Sequence, residues 1–502
     1  MTANSDRYSL AAILFAGALV AGCASAPAPK PVQVAPPPPA ARALADSIVL
    51  VDADGSDVDL AAPWGTGKAW TRVMAGVAVQ GHHVVVGGWG LRNAAHVRVQ
   101  KPGSGEKVPA KVVRFDGCGL ALLSVDDAGF WNGVPAALIS GVTQTSSVAQ
   151  LFHAAHDSAH LDSASVSFVG TRVQGMCDLV TLKIGQSEQK QIAPSDILGS
   201  PTELQGIVMS TGGSAGPVAF TPRLVADFVA EASKPQYRGY ATLGAQWQTL
   251  RSPALREELG LKADDGGVRI TAVHSISSAQ GALQPGDVLL TLEGLKVDTD
   301  GTCETPELGR VPFYGLISDG HHPGDVLTLG ILRAGARSTV KITLKPWSDD
   351  ADLIPWSAPE ETPTRFLVAG GLLFETLSVN YLEAAGKDWE SKAPLPLLEA
   401  YSLDRFDPSP DRPRVIILSR VLADPATLGY GTLRDLIVDT VNGAHVRSLD
   451  DVRAAFAKPQ NGFDVVTFTA GQYVRRIVLD AEEARAATER FAATYGAPKA
   501  SE

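Results

Sequence analysis

The 502-residue chain is too long for one core and divides into about three domains at roughly 100–200 residues each. Its 45% hydrophobic and 19% charged residues suit a globular chain, and 49 glycines with 33 prolines favour many short strands over long helices. A net charge of −11 with no Lys/Arg cluster lacks the footprint a nucleic-acid binder needs to displace counterions, and four cysteines without C-x-x-C spacing make no zinc site by themselves. No metal or other cofactor is expected.

Residues 1–23 read as a targeting segment and stand outside any fold argument. The apolar run 10–20 has signal-peptide length and is too short to span a membrane comfortably. It ends in Leu19-Val20-Ala21-Gly22-Cys23, which resembles the bacterial lipobox, where small residues let a peptidase cut before a cysteine that carries lipid. The alternative is an ordinary secretory signal with a chance cysteine, and the weak n-region, Arg7 offset by Asp6, is a departure from the lipobox pattern. Ala24 after the cysteine implies export to the outer membrane, facing the periplasm. A Pro/Ala-rich tether, 24–46, follows. Prolines hold its residues 24 to about 42 near polyproline II, and at ~3.1 Å per residue that stretch reaches roughly 55 Å.

From Ser47 onward, short apolar runs alternate with turn signals. Runs at 47–51, 77–79, 83–86, 97–99, 108–113 and 120–125 read as strands. The first clear helix follows Gly206-Ile207-Val208-Met209. Thr221 caps it, Pro222 suits its first turn, and Leu224, Val225, Phe228, Val229 and Ala232 form one apolar stripe. Strands closed by one helix suit a double β-barrel over 47–236.

The stretch Gly76-Val77-Ala78-Val79, His83-Val84-Val85-Val86, Pro109 to Val113 and Leu120 to Val125 resembles the HtrA (Do-like, Deg) serine proteases, closest to the plant-organelle branch, with which it shares Pro63-Trp64. Gly199-Ser200-Pro201 and Gly206-Ile207 match the turn and strand after that family's nucleophile, and the resemblance runs over roughly 47 to 480. It implies a mostly β chain: a trypsin-like double β-barrel followed by two PDZ-like α+β domains.

Such a protease needs a hydroxyl nucleophile, an imidazole base and a carboxylate that orients it. The family's T-N-A-H-V histidine falls on Trp89, its D-L-A-V-L aspartate on Gly119 and its G-x-S-G-S-P serine on Leu198. Indole has no basic nitrogen and leucine cannot attack, so a pseudoprotease is expected, with no catalytic residue assigned. His96, in Asn93-Ala94-Ala95-His96-Val97, lies 23 residues before Gly119 where Trp89 lies 30 before it, and it reads as a strand residue. Ser214, in Gly213-Ser214-Ala215-Gly216-Pro217, reads as part of a glycine-rich loop, Asp116 falls three residues before the carboxylate position, and His153, His156 and His160 fall in a polar loop. Cys118 and Cys177 share the barrel domain, where an oxidising envelope permits a bridge; Cys303 falls in a PDZ loop.

Residues 237–346 resemble a PDZ domain of the same branch. Tyr240 to Trp247 matches the loop and strand that cradle a peptide C-terminus, 268–273 reads as a strand, and Leu283-Gln284-Pro285-Gly286-Asp287-Val288 matches the L-x-x-G-D signature. The groove helix is expected at 311–318, with strands at 326–332 and 340–344. The resemblance implies that backbone amides around Leu243, Gly244 and Ala245 bind a carboxylate. A Pro/acidic linker, 347–363, leads to a divergent second PDZ-like domain, 364–481. There Gly370-Gly371-Leu372-Leu373 is the matching loop, making Gly371, Leu372 and Leu373 candidate peptide contacts. Ser448 caps a helix at 449–457, with Asp451 three residues on. The tail, 482–502, reads as a charged, solvated helix.

Three functions remain open on the sequence. One is a lipid-anchored pseudoprotease binding protein C-termini in envelope quality control, as a trimer, a multiple of it, or a regulatory partner of an active relative. The others are a serine endopeptidase using an unrecognised site, and a scaffold whose PDZ grooves are filled by the chain itself.

Overall fold

The computed structural model describes residues 42–495 apart from 58, 61, 66, 144, 155–160, 175–176, 188–191, 212–215, 347–350, 357–365 and 387. Cys23, His156, His160 and Ser214 therefore lie outside the described residues.

Seven strands make the first sheet: β1 (Ile48–Ser56), β2 (Ala69–Val79), β3 (His83–Gly87), β4 (Ala94–Gln100), β5 (Lys107–Pro109), β6 (Lys111–Phe115) and β7 (Leu120–Ser124), in the order β5-β4-β1-β2-β3-β7-β6. The second holds β8 (Leu138–Ile139), β9 (Val148–Ala154), β10 (Leu161–Gln174), β11 (Leu179–Ser187), β12 (Ile197–Gly199), β13 (Glu203–Ser210) and β14 (Val218–Phe220). Its order is β12-β9-β10-β11-β14-β13-β8, and a β12–β13 pair closes it into a barrel.

The apolar runs show no alternation because both faces of these strands are buried. Val49, Val51, Val84, Val86, Ala121 and Leu123 fill the first barrel, while Ile48, Leu50, Val85, Leu120 and Leu122 face the core between the barrels. In the second barrel Leu151, Val208 and Ala219 face inward and Phe152, Ile207 and Phe220 face that shared core. Helix α1 (Pro222–Ala232) closes the shared core with Leu224, Val225, Phe228 and Ala232; the Thr221 hydroxyl accepts from Leu224 N at 3.2 Å. Cys118 and Cys177 are disulfide-bonded across a Cα–Cα distance of 5.9 Å, tying the turn before β7 to the β10–β11 hairpin.

The first PDZ-like module contains β15 (Ala241–Thr242), β16 (Ala245–Thr249), α2 (Pro253–Glu258), β17 (Val268–Val273), β18 (Val288–Leu292), β19 (Leu295–Lys296), β20 (Thr302–Thr305), β21 (Gly309–Pro312), α3 (Phe313–Ser318), β22 (Val326–Arg333), β23 (Ala336–Thr343) and β24 (Lys345–Pro346). Its main sheet runs β16-β17-β18-β22-β23, so β16 is an edge strand. The Asp287 carboxylate, in the Gly-Asp turn, takes two hydrogen bonds of 2.7 Å from Arg333 on β22, which locks the start of β18 to its neighbour.

The second module contains β25 (Phe366–Ala369), β26 (Leu372–Thr376), α4 (Val379–Glu383), α5 (Trp389–Lys392), α6 (Leu395–Asp404), β27 (Ile416–Val421), β28 (Leu436–Val441), β29 (Ala444–His445), α7 (Leu449–Phe456), β30 (Phe463–Phe468), β31 (Arg476–Asp480) and α8 (Ala481–Tyr495). Its sheet runs β25-β26-β27-β28-β30-β31. Two expectations change here. Leu353 and Ile354 of the linker are fully buried against α4 and α6, so that segment packs as part of this module. Helix α8 is no solvated cap: Ala484 and Ala487 are buried and Phe491 packs beside Leu373 and Trp64, an i, i+3, i+7 stripe of mostly small residues.

Candidate functional site

Trp89 sits in a single 3-10 turn, Gly88–Leu91, directly after β3. Gly119 immediately precedes β7, with φ at +120°. The structure brings these two together: a Cβ at Gly119 would collide with Trp89 Nε1, lie 2.9 Å from its Cδ1 and 3.2 Å from Phe220 Cζ. The backbone angle and the indole both exclude a side chain at this position. Trp89 also packs edge-on against Phe115 at 5.8 Å and beside Trp356 at 6.1 Å, and the Arg92 guanidinium lies over both indoles at 5.3 and 5.8 Å. Arg92 further donates to Asn380 of α4 at 3.0 Å. A segment of the second module thus lies over the indole.

Leu198 is placed differently from the convergence the sequence implies. It points into the second barrel with Leu151, Val208 and Ala219, while its neighbour Ile197 faces the inter-barrel core. One residue of register decides which side chain faces the core between the barrels, because side chains alternate along a strand. Either residue is aliphatic. Ser195, three residues before Leu198, is 1% exposed; it donates to the Ala75 carbonyl at 2.7 Å and accepts from Gly87 N at 3.0 Å, so its proton goes to backbone rather than to a base. His96 is an exposed β4 residue bonded to Asp54 at 2.9 Å. His153 pairs instead with Asp196 at 2.8 Å, a carboxyl that burial pushes up to about 6. Among the described residues no group of three or more His, Cys, Asp or Glu is placed to hold a metal.

Sequence reasoning missed what Asp116 does. Its Oδ1 accepts from the amides of Cys118, Gly119 and Leu120 at 2.8, 2.7 and 2.9 Å, and its Oδ2 from the Tyr240 hydroxyl at 3.0 Å. Burial raises this carboxyl to about 6 against the lowering effect of those bonds, and burial also pushes the Tyr240 hydroxyl up, keeping it a donor. Asp116 therefore shapes the turn carrying Gly119 and fixes the segment that leads into the first PDZ-like module. The signal was an aspartate opening a tight turn, a residue type that bonds amides two to four positions on.

In that module Gly244 has φ at +67°, and a Cβ there would collide with the Ser277 side chain. The Leu243 carbonyl accepts from Ala279 N and the Gly244 carbonyl from His274 N, both at 3.0 Å. In a trans peptide unit C=O and N–H point oppositely, so the amides of Gly244 and Ala245 face away from the 274–279 turn, toward the open edge of β16. The carbonyls of Leu243 and Gly244 are thus taken up by the 274–279 turn, and the amides of Gly244 and Ala245 are not bonded to it.

The matching loop of the second module is arranged alike and used otherwise. Leu422 N bonds the Gly371 carbonyl at 2.8 Å, as His274 N bonds that of Gly244, and each loop strand has its register shift at the same place, Gln246/Trp247 and Leu373/Phe374. But Gly370 and Gly371, at φ +60° and +78°, turn the chain so that β25 pairs antiparallel with β26 on the side that β16 leaves open. Helices α7 and α8 pack on β25, and Gly370 N donates to Thr488 of α8 at 2.8 Å. Leu372 and Leu373 are fully buried. As candidate peptide contacts, Gly371, Leu372 and Leu373 are superseded: the chain's own strand lies where a peptide would add.

Protease Do-like 2, chloroplastic, from Arabidopsis thaliana is 26% identical over 468 residues, covering 90% of this chain and 74% of that protein. The putative mitochondrial protease Do-like 12 of the same plant is 23% identical, over 82% and 78% of the two chains. The homologues of this chain are Do-like (HtrA) proteases. Residues 354–501 match a PDZ domain family, PDZ_3, so a PDZ domain stands at the C-terminus. Among solved structures, an HtrA-type protease AlgW with decapeptide aligns over 61% of this chain and 96% of its own at 16% identity and a TM-score of 0.43. The serine endoprotease from Yersinia pestis aligns over the same shares at 15% and 0.39.

Proposed function

We propose that this Do-like chain binds protein C-termini at the open edge of β16 and does not hydrolyse them. The observation carrying the second half is the Trp89 indole against Gly119, which leaves neither a base nor room for a carboxylate to orient one. The first half rests on the amides of Gly244 and Ala245, which face a strand edge that no other described strand pairs with, the arrangement by which an extended peptide adds to a sheet. The lipobox-like Leu19 to Cys23 run supports attachment to the periplasmic face of the outer membrane by lipid on Cys23, with service in envelope protein quality control, alone or assembled with an active relative.

The relatives are named proteases, so the endopeptidase reading is tested first. The full chain is treated with a serine-directed fluorophosphonate probe and assayed on unfolded casein. Neither labelling nor cleavage is expected; cleavage lost in Ser214→Ala would overturn the proposal. A scaffold reading is favoured for the second module alone, where β25 fills the groove.

A further inference from the structure

The filled groove of the second module is a template for reading the open groove of the first. Gly244, Ala245 and Trp247 occupy the places of Gly371, Leu372 and Phe374, as the shared carbonyl bond and the shared register shift establish. In the template, Ala369 lies opposite Leu372 and Leu367 opposite Phe374, and both inserted side chains are buried in the module's core. Alternate residues of an added strand face the groove, so Ala369 stands for a ligand's last residue and Leu367 for the residue two before it.

At the first position the open groove has Ala245 where the template has Leu372, which leaves room. At the second it has Trp247 where the template has Phe374, which removes room. The indole bridges from β16 to the start of α3: its ring centroid is 5.5 Å from that of Phe313 and 6.0 Å from that of Tyr314, and its Cη2 lies 2.6 Å from where a Cβ at Gly301 would be. Gly301 in turn accepts from Phe313 N at 2.9 Å, which fixes the floor on which the indole rests.

We infer that the open groove selects C-termini with a large aliphatic last residue and a small residue, Gly, Ala or Ser, two positions before it, the inverse of the chain's own Leu367-Val368-Ala369. This rests on the C-terminus binding proposed above and adds the ligand class. A size mismatch of several methylenes in such a subsite is worth roughly ten- to a hundredfold in affinity.

The test is fluorescence polarisation with the full chain and labelled peptides ending Ala-Val-Leu and Leu-Val-Ala. The first is expected to bind at least tenfold more tightly, and the double variant Ala245→Leu with Trp247→Phe is expected to reverse the order. Equal affinities, or preference for Leu-Val-Ala in the unaltered chain, overturn the inference while leaving C-terminus binding intact. Binding of neither peptide, nor of others with free C-termini, removes the proposed function and this inference with it. The unaltered chain decides the matter even if the double variant fails to fold.

Discussion

The two PDZ-like modules share a loop geometry and differ in one strand. In the first, β16 ends its sheet; in the second, β26 is flanked by β25, which enters through two consecutive glycines at positive φ. The same turn therefore presents amides outward in one module and joins two strands of a hairpin in the other. The difference teaches that a peptide-loop motif specifies a backbone shape, and that the neighbour on its open side specifies whether the shape is a binding site or part of a core.

The sharpest way to break this comparison is to empty the filled groove. Leu367→Ala removes a fully buried side chain from the second module's core and is expected to cost ~2–5 kcal/mol in denaturant unfolding. A control on the open edge, Gln248→Ala, alters an exposed residue and is expected within about 0.5 kcal/mol of the parent. Equal costs would mean that Leu367 on β25 is no more part of a core than an exposed edge residue is.

A second effect comes from Glu375, opposite Phe366 in that hairpin, which burial pushes up to about 8 and whose Oε1 is buried without a hydrogen-bond partner. The folded chain keeps its proton where the unfolded chain, near 4.3, has lost it, so its contribution to stability is complete below pH 4 and is lost as pH rises through about 8. Asp116 and Asp196, raised to about 6, act in the same sense over a narrower window. Glu375→Gln is expected to flatten the fall in Tm between pH 5 and 9; an unchanged slope would remove this carboxyl as its source.

Gly244→Val meets both a positive φ and the Ser277 side chain, a strain of ~1–3 kcal/mol placed on the carboxylate loop, and is expected to abolish peptide binding in polarisation titrations. Arg490→Ala is the smallest change. It breaks two bonds from a half-exposed guanidinium to Asp424 at 2.9 and 2.7 Å, for about 1 kcal/mol or less, and is expected to leave peptide affinity unaltered because α8 serves the filled groove.

Much of this was legible in the sequence because local chemistry decided it. Thr221 and Ser448 cap helices as their types dictate, and the strands Val268–Val273 and Leu436–Val441 begin and end where the apolar runs do. The run 108–113 is split between β5 and β6 after Pro109, which has no N–H to give a ladder. What failed was non-local. Gly370 to Leu373 reads as a peptide loop because nothing local shows that β25 folds back onto β26 there, and alanines in α8 carry too little hydrophobicity to announce a buried stripe. At the candidate site, Trp89 lies against Gly119, whereas Leu198 faces the second barrel. The Asp116 clamp on Tyr240 joins residues 124 apart and left no trace in spacing.

The central proposal is that this chain holds a C-terminus without cutting it. Its most direct test is mass spectrometry of a peptide ending Ala-Val-Leu after prolonged incubation with saturating full chain. The account predicts that the peptide returns at its original mass; shorter fragments, or an acyl adduct on any hydroxyl of the chain, would contradict it.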